Sequence, residues 1–203
     1  ADKKKILKSP SFKLTRENFT EFSGCAKLAG CIRRSMLVMA PLADYNYTPF
    51  LSSLAKTIQT LDLESKRGER KILLSKHRNL LTGFSLNKKT SFESIVRHPV
   101  TCQIDRNSVK AIIQLPELMP GVNLITGKQY PLFRFIVNLA CVADPAFGLK
   151  GYFIQEPESS HIYTNWYHSS QLFNAMELIV QLKDSTTLKD NKTLILSLGL
   201  QMG

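Results

Sequence analysis

The apolar positions of the chain change their period near residue 95. Before it they recur every three or four residues, and after it they alternate. Phe19, Phe22, Ala26, Ala29 and Ile32 follow helical spacing. A helix start is expected near Thr15 or Asn18, where Asn18-x-x-Glu21 has the form of a capping box. Gly24, Cys25, Ala26, Ala29 and Gly30 make this helix small-sided, so a neighbouring backbone, or a second copy, can approach it closely. Pro41 ends the helix. Thr48 as N-cap and Pro49 at the first helical position open a second one, with Phe50, Leu51, Leu54, Ala55, Ile58 and Leu61 as its stripe and Gly68 closing the element. The two helices are expected to form an antiparallel hairpin whose stripes are core.

Alternation then takes over. Val100 to Asp105 and Val109 to Leu115 flank Arg106-Asn107-Ser108 in a hairpin pattern. Phe133, Phe135, Val137, Leu139 and Cys141 share one face of a strand, and further strands are expected at 151–155, 161–167, 176–182 and 193–200. Pro120-Gly121, Asp144-Pro145, Pro157-Glu158 and Asp190-Asn191 supply the turns. Helices first and short strands later predict an α+β fold. Residues 1–90 are expected to be a basic arm with a helical hairpin, and residues 91–203 an antiparallel β-sandwich.

Composition changes this picture in one respect. Of 203 residues, 43% are hydrophobic and 21% charged, which excludes a disordered chain or a disulfide-dense miniprotein. The net charge of +11 is carried by one half: residues 1–90 hold 18 Lys and Arg against 7 Asp and Glu, whereas residues 91–203 hold 9 of each. Such asymmetry points the first half towards an acidic partner or a solvated basic face. Three clusters are candidates for contacting protein or nucleic acid: Lys3, Lys4 and Lys5; Arg33 and Arg34; and Lys66, Arg67, Arg70, Lys71, Lys76 and Arg78. Only Phe84 and Phe92 lie near the last cluster in sequence, a thin set of aromatics for a single-strand binder.

Candidate chemistry is sparse. Phosphate loops, metalloprotease motifs and nucleophile elbows are absent. Cys25, Cys31, Cys102 and Cys141 lack zinc-ligand spacing, and buried reduced thiols are expected. His161 and His168 would face opposite sides of one strand. No catalytic residue, metal site or cofactor is therefore expected. Tyr163, Trp166 and Tyr167 are the candidate ligand platform, with core packing as the alternative. The N-terminus has no apolar leader, no run of 18 apolar residues suggests a membrane span, and the compartment is left open. Leu194, Leu196, Leu198 and Leu200 alternate almost to the last residue, and trimmed ends are expected.

Thr15-Arg16-Glu17-Asn18 with Glu21-Phe22, Ser65-Lys66-Arg67-Gly68, and Leu80-Leu81-Thr82-Gly83-Phe84-Ser85-Leu86-Asn87 resemble elements of a family of uncharacterised basic proteins common in Bacteroidota. The resemblance covers roughly residues 4–90. It implies a bacterial source, further N-terminal residues and a C-terminal strand beyond this chain, and it carries no activity or catalytic residue. The sequence thus predicts a non-enzymatic structural or interaction subunit of a larger assembly, associating by self-assembly or with a protein partner through its basic half and an open sheet edge. A nucleic-acid-associated protein and a carbohydrate- or ligand-binding sandwich are the alternatives.

Overall fold

A computed structural model describes residues 6, 8–127, 129–183 and 188–203. It is mixed helix and strand in the expected order, with a long N-terminal helix followed by antiparallel sheets. Helix α1 spans Lys13–Ser35 and α2 spans Thr48–Thr60. A 3-10 segment, Leu37–Leu42, connects them and contains Pro41. A short helix α3, Phe92–Ile95, precedes the strands. These are β1 Thr101–Asp105, β2 Lys110–Leu115, β3 Leu132–Ala143, β4 Ala146–Gly148, β5 Gly151–Phe153, β6 Glu158–Tyr163, β7 Tyr167–His168, β8 Met176–Gln181 and β9 Lys192–Met202. Among the described residues, no helix is long and apolar enough to cross a membrane.

The organising element is β3. From Phe135 to Ala143 every residue is buried. All of these are apolar save Asn138, as expected of a strand covered on both faces. Its odd positions, Phe133, Phe135, Val137, Leu139 and Cys141, join a cluster with Ala111, Ile113 and Leu115 of β2 and Val180 of β8. Ile136 and Val142 face the other way, into a cluster built on Leu28 and Ile32 of α1 and Leu51, Ala55 and Ile58 of α2. Asn138 shares that second face and donates to the Ser35 carbonyl at 3.0 Å, satisfying a free carbonyl at the end of α1.

One sheet runs β1-β2-β8. In the other, β6 and then β7 pair with one side of β3 while β9 pairs with the opposite side along its whole length. The small hairpin β4-β5 carries Tyr152 into the helical cluster.

Details of the helical half differ from the sequence pattern. Helix α1 begins at Lys13, so Asn18 and Glu21 lie inside it and form no capping box. Phe19 and Phe22, expected in the core, are 62% and 64% exposed, and Ala26 is exposed too. The buried face is Glu21, Gly24, Cys25, Leu28, Ala29, Cys31, Ile32 and Ser35. At 100° per residue Phe19 points about 160° away from Glu21, which lies on the buried stripe of Cys25, Leu28, Ala29 and Ile32. Gly68 lies eight residues beyond the end of α2 in a turn with φ of +94°.

The small side of α1 does bring a neighbour close. A Cβ built on Gly24 would lie 2.8 Å from the Tyr152 ring and 3.0 Å from Ile72. Gly24→Ala is therefore expected to lower unfolding stability by about 1–2 kcal/mol, although Ala is the better helix former by about 1 kcal/mol. Denaturant titration checks this; a stabilised variant would contradict the packing described.

Candidate functional site

The feature with most scope for function is the outer edge of β9. Leu132 and Gly203 exchange both backbone hydrogen bonds, at 3.1 and 2.9 Å. The antiparallel register then carries bonded pairs two residues at a time through Gln201, Gly199, Ser197, Ile195 and Thr193. The alternate residues, Lys192, Leu194, Leu196, Leu198, Leu200 and Met202, direct their N–H and C=O groups away from β3. Lys192 is accounted for: its N–H donates to the Lys189 carbonyl at 3.0 Å, and its carbonyl accepts from Arg106 at 3.2 Å. The other five have no backbone partner on that side among the described residues. Their side chains face the β3–β2 cluster and are half-buried. Beyond Lys192 the edge carries no charge and no proline, the devices that normally blunt an edge strand.

The basic residues are anchored in separate places. Lys3, Lys4 and Lys5 lie outside the described residues. Arg34 makes a bidentate pair with Glu156, at 2.9 and 3.2 Å, and Arg33 is exposed beside it in the last turn of α1. Arg67 donates to Asn18 at 2.9 Å, about 22 Å along the helix from Arg33. Arg70 lies 3.7 Å from Glu21. Lys66 and Lys71 are exposed in the same segment as Arg67, whereas Lys76 and Arg78 flank the turn where Ser75 binds Asp144. Arg34, Arg67 and Arg70 are thus engaged within the fold.

The three aromatics divide in the same way. The Arg134 guanidinium lies 4.3 Å from the Tyr163 ring and 4.6 Å from the Trp166 ring, while its Nε donates to Gln201 at 2.8 Å. Tyr167 instead packs edge-on against Phe173 at 4.9 Å, in the cluster of Phe133 and Phe135. His161 sits opposite Asn138 and His168 opposite Leu132, six residues apart along β3. Among the described residues, no His, Cys, Asp and Glu group is placed to hold a metal. Cys25, Cys31 and Cys141 are buried and Cys102 is exposed. A shallow aromatic cleft lies between Tyr45, Phe50 and Phe84, with the Lys88 ammonium 4.4 Å from the Tyr45 ring.

A buried polar network is the feature that sequence reasoning missed. Glu21, 1% exposed, accepts from Lys56 at 2.7 Å and from the Gly68 N–H at 3.0 Å. Gln59 donates to the Glu21 carbonyl at 3.4 Å and to the Tyr152 hydroxyl at 3.3 Å. Its own oxygen accepts from Lys56 and Cys25, at 3.0 and 3.4 Å. The Tyr152 hydroxyl donates to the Arg70 carbonyl at 2.5 Å. Burial pushes the Cys25 thiol up to about 11 and the Tyr152 phenol up to about 12, so neither is a nucleophile or base at neutral pH. Every member has a partner, and the network acts as a clamp between α1, α2, the 62–71 segment and β5.

Burial by itself raises the Glu21 pKa, but the Lys56 hydrogen bond, the Gly68 N–H and the charges of Lys56 and Arg70 outweigh it, and the net value is lowered. A carboxyl lowered on folding adds stability above its unfolded pKa, about 4.3, and loses it as pH falls through the folded value. Glu21→Gln should cost about 2 kcal/mol near pH 7, with the gap to wild type closing towards pH 3. Unfolding titrations across pH check this, and a gap independent of pH would contradict it. No protein-family model, curated protein or solved structure matches this sequence.

Proposed function

We propose that the chain is a non-enzymatic interaction subunit that joins a larger assembly by strand addition at β9, its two sheets serving as a sandwich with one open edge. The observation that carries this reading is the row Leu194, Leu196, Leu198, Leu200 and Met202, which turns its backbone donors and acceptors outward along an apolar strand. Main-chain hydrogen bonding supplies affinity in such pairing, and alternate side chains supply register. The exposed Phe19 and Phe22 on α1 add a second apolar surface on the basic half. A bacterial source, as the resemblance of residues 4–90 implies, fits this role.

A second reading, nucleic-acid association, rests on the cleft of Tyr45, Phe50 and Phe84 with Lys88, because single-strand binders combine stacking rings with cations. The carbohydrate reading has less support, since Arg134 already occupies the space against Tyr163 and Trp166.

Salt and one substitution separate the two readings. Leu196→Pro removes an outward N–H while sparing the hydrogen bonds to β3, and proline is tolerated at edges. Gel filtration of extracts from the cells that make the protein should place it well above the mass of a single chain in 0.5 M salt. The Leu196→Pro variant should elute as the monomer. A wild-type chain that is monomeric, or that is released by salt and indifferent to the proline, would contradict strand addition.

A further inference from the structure

The helical face of β3 carries Arg134 two positions before Ile136, and at this end of the strand the helical cover stops. Paired residues of antiparallel strands share a face, so Tyr163, opposite Ile136, and Gln201, opposite Arg134, lie on it as well. Trp166 precedes Tyr167, whose partner Phe133 faces the other way, and so joins them. Tyr163 is 44% exposed and Trp166 41%, as expected where no helix lies above the sheet. Both ring centroids are within cation–π range of the Arg134 guanidinium. The two rings make no contact with each other among the described residues, so they hold it from different sides. The Arg134 Nε donates to Gln201, which fixes the rotation of the guanidinium plane. Its terminal nitrogens donate to no group among the described residues.

These free donors meet no charge of their own chain. No Asp or Glu occurs at 118–143, 159–176 or 191–203, the segments that build this end of the sheet. Glu158 of β6 pairs with Cys141, seven positions from Arg134 along β3 and so about 23 Å away. On the helical side, Asp44 lies two residues beyond the Leu42 that reaches Gly199, and its carboxylate accepts the Lys88 and Lys89 N–H groups. Rings cover both faces of the guanidinium, so an anion must approach in its plane, along the edge of the terminal nitrogens. That edge matches the two oxygens of a carboxylate. Lys192, the other Lys or Arg of the β3 sheet, is opposite Ala143 at the far end. A single fork without a row of cations recognises one negative charge and not a polyanion.

We propose that Arg134, held between Tyr163 and Trp166, is a binding site for the carboxylate of a small organic acid. The fork takes the two oxygens, and the rings are walls against which the apolar body of the acid rests. The site is separate from the outer edge of β9 and does not depend on strand addition there.

Trp166 is the single tryptophan of the chain, so its fluorescence reports this site alone. The probe is cyclohexanecarboxylate, titrated at constant ionic strength, with its neutral amide as control. The acid should shift Trp166 emission saturably. The amide should bind at least about tenfold more weakly, because it loses the charge-assisted pair. Sulfate, doubly charged and without an apolar body, should also bind about tenfold more weakly. Arg134→Lys keeps the charge and loses the fork, and should weaken the carboxylate about tenfold. The comparison of acid with amide is made on the unaltered chain, so it stands whether or not the variant folds. The proposal is overturned if the acid gives no saturable shift, if the amide or sulfate binds as tightly, or if a folded Arg134→Lys chain keeps the full carboxylate affinity.

Discussion

A strand that is apolar on both faces cannot face water on either, and β3 imposes that condition on the rest of the molecule. Its odd residues require the β1-β2-β8 sheet, and its even residues require α1 and α2. Apolar burial is worth about 25 cal/mol per Å², so leaving either face bare would cost more than a domain's marginal stability permits. The polar exception, Asn138, is used to tie β3 to the end of α1. The layer order is thus a consequence of one twelve-residue segment.

The helical layer is fixed by a different force. Glu21 is held inside because Lys56 of α2 and Gly68 and Arg70 of the 62–71 segment converge on it. Removing Lys56 would leave the Glu21 carboxylate buried without its closest cation, which makes the cluster specific as well as cohesive. The consequence reaches the surface: orienting Glu21 inward turns Phe19 and Phe22 outward, where they remain as an apolar strip. Gly24 completes the arrangement by letting Tyr152 close over the helix.

Much of the strand layout was legible in sequence because alternation with period two is a local signal. The β1–β2 hairpin, β8 and β9 fall within two residues of their expected bounds. Helix α1 was misread in its facing because a buried Glu looks polar until Lys56 and Arg70, 35 and 49 positions away, are placed beside it. The basic run 66–78 read as one patch for the same reason: adjacency in sequence does not reveal that Arg70 is drawn into an ion pair while Lys76 and Arg78 sit at another turn. The leucines of β9 gave the face of the strand. That its far edge lacks a partner is a property of topology, which alternation does not encode.

The central claim concerns that edge, and amide hydrogen exchange of the isolated chain, resolved by residue along β9, tests it most directly. The hydrogen-bond register predicts an alternating profile, with Thr193, Ile195, Ser197, Gly199 and Gln201 protected and Leu194, Leu196, Leu198, Leu200 and Met202 exchanging at least about a hundredfold faster. Uniform protection along the strand would show that the outer edge is already paired and would contradict the account.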